Sequence, residues 1–243
     1  MPSPRAEWVR ARTAERQYAA KLRKVARHIA DLIQGFDPVL DYQKIQDALY
    51  RYAEILGPWA ASVATRMTTE VAARNRKSWW NISQEISRNL HQEIDTAPTG
   101  AAIQDLIRSQ VDLITSMPKD AASRVQKLAL QGFVSGERPA SLVEEIMRTG
   151  KVVRSRAELI AQTETSRAMT TITQVRAEHV GSTQYVWRSV HDNHVRPLHR
   201  ELDGQVFAWA SPPVADARTG ARAHPGCIYR CRCFAEPIIP GID

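Results

Sequence analysis

The thirteen residues Arg176-Ala-Glu-His-Val-Gly-Ser-Thr-Gln-Tyr-Val-Trp-Arg188 are where the chain changes its period. Before them apolar side chains recur at steps of three and four, as one face of a helix requires. After Gly181, Tyr185-Val186-Trp187 reads as a short strand. Working upstream, the 25 or so residues from Ser155 to His179 form a helix closed by Gly181. Working downstream, Val206-Phe207-Ala208-Trp209 reads as a second strand and Ile228 to Phe234 as a third, separated by loops rich in Pro, Gly and Asp.

Six further helical segments precede Ser155. Trp8, Leu22, Val25, Ile29, Leu32 and Ile33 trace an amphipathic helix that Gly35 and Asp37-Pro38 stop. A second spans Tyr42 to Leu56, and Gly57-Pro58 breaks the pattern. The longest runs from Trp59 through Val63, Met67, Val71, Trp79, Ile82, Ile86 and Leu90 to Ile94, with a bend expected near Asn75. Ile103 to Ile114 gives a fourth that ends before Pro118, Val125 to Phe133 a fifth, and Leu142 to Met147 a short sixth closed by Gly150. The fold class is therefore α+β. A mainly helical N-terminal lobe, residues 1–136, precedes a small α+β lobe, residues 137–243, with a few short antiparallel strands.

The composition, 43% apolar and 24% charged over 243 residues, supplies a sizeable core. No run of about 18 apolar residues occurs, and charges begin within the first thirty residues, so neither a membrane span nor a secretory signal is expected. Three cysteines, all near the C-terminus, argue against a disulfide framework and leave reduced thiols or a metal site. The net charge of +7 is concentrated: residues 1–30 carry Arg5, Arg10, Arg12, Arg16, Lys21, Arg23, Lys24 and Arg27 against Glu7 and Glu15. Such a segment is either a solvated helix face or a surface for a polyanion, double-stranded DNA without base specificity or an acidic protein patch.

Residues able to act on a substrate or metal gather after residue 190: His191, Asp192, His194, Arg196, His199, Asp203, His224, Cys227, Cys231 and Cys233. Zinc suits the donors His199, His224, Cys227, Cys231 and Cys233, of which four at most bind at once. Cys227 and Cys231 have near-zinc-finger spacing, whereas Cys231 and Cys233 in an extended strand would face opposite ways and chelate only across a bend. The alternative is buried structural thiols. The same residue types also occur in metal-dependent nucleases and other hydrolases, but no H-E-x-x-H, nucleotide-binding glycine loop or G-x-S-x-G elbow is present. No catalytic residue is assigned.

The ordered series Arg156 to Thr165, Tyr185 and Trp187, Asp192, Arg196-Pro197-x-His199, Leu202-Asp203-Gly204, His224-Pro225-Gly226 and Cys231-Arg232-Cys233 resembles the phage Mu protein F-like head-morphogenesis family. The resemblance covers about residues 137–239 and includes the helix start at Ser135 to Pro139. Family members run from a His-Pro pair almost directly into Cys-Arg-Cys; here Gly226 to Arg230 intervene and add a third cysteine.

The resemblance implies a non-enzymatic minor capsid protein of a tailed phage, in the virion head or at the portal after assembly in the host cytoplasm. Its implied partners are the portal, major capsid or scaffold protein, with packaged DNA nearby. The first helix then contacts DNA, or docks on an acidic partner with Trp8, Tyr18 and Leu22 as anchors. Within the lobe, Glu164 is expected to pair with Arg196 or Arg167, Asp192 and Arg196 to hold a loop, and Asp203-Gly204 to turn a hairpin between His199–Leu202 and Val206-Phe207. The rival is a phage-encoded metal-dependent nuclease or other hydrolase.

Overall fold

The computed structural model describes residues 11–84, 96–135 and 139–240. Arg5, Arg10 and Trp8 of the basic segment, and Ile86, Leu90 and Ile94 of the expected third helix, lie outside the described residues. The elements are α1 (Arg12–Gln34), α2 (Tyr42–Ile55), α3 (Gly57–Gln84), α4 (Gly100–Ser135), α5 (Pro139–His179), β1 (Gln184–Arg188), α6 (Pro197–Leu202), β2 (Val206–Ala208) and β3 (Phe234–Ile238). The chain is α+β, as its periodicities predict. It divides into two compact units, one of residues 16–65 and 107–161, the other of residues 1–15, 66–106 and 162–243.

In the first unit every element among the described residues is a helix. Leu22, Val25, Ile29 and Ile33 from α1, Ile45 and Leu49 from α2, and Ile114, Met117 and Val125 from α4 are all buried, the stripes that helical spacing predicts. A buried hydrogen bond from Tyr18 Oη to Gln110 Oε1 at 2.7 Å ties α1 to α4. Arg156 of α5 reaches α4 twice, bonding Ser116 Oγ at 2.9 Å and pairing with Asp120.

Two expected helix stops are overridden here. Pro118 lies inside α4 and does not end it. Its ring fixes φ near the helical value but removes one backbone bond and crowds the carbonyl four residues back; the buried residues on both sides, Ile114, Met117, Ala121 and Ala122, hold the helix through it. Gly150 lies inside α5, which runs unbroken from Pro139 to His179. A Cβ at Gly150 would stand 2.9 Å from Ala30 Cβ of α1. Glycine there permits close approach of two helices, and that packing offsets its poor helix propensity.

The second unit carries a three-stranded antiparallel sheet in the order β2-β1-β3. Tyr185 faces Phe207 on one side and Pro237 on the other, and Trp187 faces Ala235. Along β1 the burial alternates, so Tyr185 and Trp187 enter a core with Trp79, Ala177, Leu202, Trp209, Cys231, Cys233 and Phe234. Asn75 of α3 is buried and donates to Thr173 Oγ1 of α5 at 2.7 Å. That bond serves the amide N–H at the position where the sequence suggested a bend, while the buried Oδ1 has no partner among the described residues.

The third strand is displaced from its expected place. Strand β3 begins at Phe234, and residues 228–233 are irregular, because Gly226 and Arg230 both take positive φ, +84° and +55°. The expected strand His199–Leu202 is instead the helix α6, with Pro197 at its first turn. Gly204 keeps its turn role at φ +83°, its N–H donating to Trp187 O at 2.8 Å.

Replacing Gly150 by leucine should destabilise the fold by about 1–3 kcal/mol through overpacking against Ala30, whereas alanine regains about 1 kcal/mol of helix propensity and should be milder. Urea unfolding of the two variants checks the order.

Candidate metal centre

Helix α6 is short, but it buries His199 and Leu202 on one side. The His199 ring packs edge-on against Trp187, centroids 5.2 Å apart, and its Nε2–H donates to Ala215 O at 2.8 Å. Those two constraints aim Nδ1 at a pair of sulfurs. Cys231 Sγ lies 3.5 Å away and Cys233 Sγ 3.6 Å away. All three side chains are buried, and their donor atoms lie within 4.8 Å of one another. Arg232, between the two cysteines, turns outward to pair with Asp192.

What brings two i, i+2 thiols to one side is the loop before them. Gly226 N–H donates to Cys231 Sγ at 3.3 Å, and Cys231 N–H donates to Ile228 O at 2.9 Å. The loop is clamped to one face of α5: Thr170 Oγ1 donates to Pro225 O at 2.7 Å, Arg167 to Cys227 O at 3.3 Å, and Arg230 N–H donates to Thr163 Oγ1 at 3.1 Å. A Cβ at Gly226 would meet Cys233 O, Thr170 Oγ1 and Ser166 O at 3.1–3.3 Å, so only glycine supplies both the positive φ and the room. From Arg196 on the other side, a guanidinium donates to Tyr229 O at 2.6 Å.

The cluster shares charge as well as space. Donation from the Cys233 thiol, followed by the His199 contact, holds the Cys231 thiol well below its ordinary value, and sharing with Cys231 pushes Cys233 up. Burial works against a charged His199, yet its bond to Cys231 leaves its pKa raised. Trp187 Nε1–H is fully buried without a hydrogen-bond partner among the described residues, and its nearness to Cys233 favours that thiolate.

The other expected donors stand apart. His224 Nδ1 is 3.1 Å from Tyr185 Oη, with its ring against Tyr185 and Trp209. Burial lowers its pKa, opposed by Glu178. Burial pushes the Cys227 thiol up to about 12, so it is neutral near pH 7. Glu164 pairs with Arg167 three residues along the same helix, not with Arg196. Asp203 accepts from Ser189 N–H at 2.7 Å and pairs with His191. The sequence reading assigns Arg167 only as a partner of Glu164 and assigns Thr163 and Thr170 no clamp role; the signal available is their spacing of four and three, one helix face.

Residues 123–236 match the family model described as Phage Mu protein F like protein. This segment is similar to the phage Mu protein F-like family. The chain is also similar to an uncharacterized protein of Haemophilus influenzae (strain ATCC 51907 / DSM 11121 / KW20 / Rd), 34% identical over 137 residues. That alignment covers 56% of this chain and 29% of the relative, so the chain spans under a third of that protein's length. No solved structure matches the chain. The Mu F-like segment contains the whole sulfur cluster and its clamp, and among the described residues no helix is long and apolar enough to cross a membrane.

The His224 environment fixes the sign of a pH effect. With its folded pKa below the unfolded value of about 6.5, the unfolded chain takes up the proton first, so stability falls as pH drops through 6.5. Urea midpoints between about pH 7.5 and 5.5 should therefore decline more steeply for the native chain than for His224→Gln; parallel declines count against it.

Proposed function

We propose that the chain is a minor head protein of a tailed bacteriophage, acting in head assembly and lying against packaged double-stranded DNA. The match of residues 123–236 to the Mu F-like family model supports the head setting. The observation that carries the DNA contact is a groove in the helical unit, of about 360 Å³, whose cations come from two helices: Arg23 and Arg27 of α1, Lys151 and Arg154 of α5.

The close approach of Ala30 and Gly150 sets those side chains side by side. Arg23 and Arg27 are one turn apart on α1, and Lys151 and Arg154 follow Gly150 by one and four residues, so each pair lies on the facing stripe of its helix. Arg154 has only a loose pairing with Glu158, at 3.8 Å, and Arg23, Arg27 and Lys151 have no carboxylate partner among the described residues. Four cations without tight partners suit a phosphodiester backbone, which carries regularly spaced charge and asks for no base contact. The groove contributes binding, not chemistry: it brings no nucleophile or general base to a phosphate.

Reversing all four charges to glutamate should lower the slope of log K against log salt for duplex DNA by about 3 to 4, and affinity should fall for every sequence alike. An unchanged slope removes the groove from DNA binding. Density-gradient separation of a producing lysate with mass spectrometry tests the setting: the chain should sediment with DNA-filled heads, and recovery as free protein alone would overturn the head role.

A further inference from the structure

We propose that His199 Nδ1, Cys231 Sγ and Cys233 Sγ are three protein ligands of a single zinc ion whose fourth position is held by solvent. The inference is independent of the role in the head. Zinc bonds sulfur at about 2.3 Å and imidazole nitrogen at about 2.0–2.1 Å, so in a tetrahedron the N···S edges are about 3.6 Å. The two edges here are 3.5 and 3.6 Å.

The donor chemistry selects the ion. Two thiolates balance one dication and suit a borderline-soft metal, whereas magnesium and calcium require oxygen ligands. Coordination releases the protons the cluster holds to solvent, so metal replaces hydrogen bonding at the centre of the triangle. The surrounding groups are those a zinc–thiolate site uses. Ala215 O takes the far ring N–H of His199 and fixes its orientation, and Gly226 N–H donates to Cys231 Sγ.

The fourth position follows from the space beside the triangle. A cavity of about 10 Å³ is bounded by His194, Arg196, Arg230 and Arg232 together with the three donors, room for about one water. Cys227 and His224 are not ligands: neither belongs to the convergent group, and His224 Nδ1 already faces the Tyr185 hydroxyl.

The test uses the full chain, reduced, stripped with a chelator, and loaded with zinc or cobalt(II). Mass-spectrometric metal analysis should find about one equivalent, and the cobalt form should show thiolate-to-cobalt charge transfer with intense tetrahedral visible bands. Cys231→Ser and Cys233→Ser should each fall below about a tenth of an equivalent, while Cys227→Ser keeps its metal. Should either serine variant fail to fold, the cobalt spectrum of the unaltered chain decides. Metal uptake no greater than that of the Cys231→Ser/Cys233→Ser double variant, a cobalt spectrum without thiolate bands, or equal loss in Cys227→Ser would overturn the assignment.

Discussion

One stretch of helix surface holds the cysteine loop of the second unit in place. Thr163, Arg167 and Thr170, on a single face of α5, grip the backbone of residues 225–230 by an N–H and two carbonyls. That grip holds Arg230 at its positive φ, and with that angle and the positive φ of Gly226 the thiols of Cys231 and Cys233 leave the alternation of a strand to meet His199. A non-glycine residue at positive φ is strained, and the hydrogen bond from Arg230 N–H to Thr163 is part of what over-determines it. The residues that extend the link between Pro225 and Cys231 are therefore held from the helix at several points.

The long helices do a second job in the helical unit. Pro118 and Gly150, which a local reading takes as ends, sit within helices whose stability comes from tertiary burial rather than propensity. The glycine exchanges local helix stability for a small-on-small contact with Ala30, and the groove lined by Arg23, Arg27, Lys151 and Arg154 exists because two backbones come that near. A bulkier pair would splay the two cationic stripes apart.

Much of the fold is legible in the sequence because periodicity is a local signal. The first two helices, the switch of period after Gly181, and the strands at Tyr185 and Val206 stand where the pattern puts them. The failures are non-local. Nothing near Pro118 or Gly150 announces the neighbours that carry the helix through them, and nothing in Lys151 or Arg154 shows that α1 will bring two arginines beside them. At the candidate site the clustering of histidine and cysteine was visible, yet the spacing favoured Cys227 with Cys231. A bend fixed by a helix some sixty residues away, as in the bond from Arg167 to Cys227 O, chose Cys231 with Cys233 instead.

Among the described residues the small sheet has two open edges, and each is blunted. Strand β2 is only three residues long, and β3 carries Pro237, which has no N–H to offer a further strand. Exposed apolar side chains do lie there, Val206 on one edge and Ile238 on the other, so stickiness alone would favour pairing with another chain. Shortness on one side and a missing donor on the other leave too few consecutive backbone hydrogen bonds for such a pair to grow. Many copies of this protein can thus be crowded together without their sheets joining edge to edge.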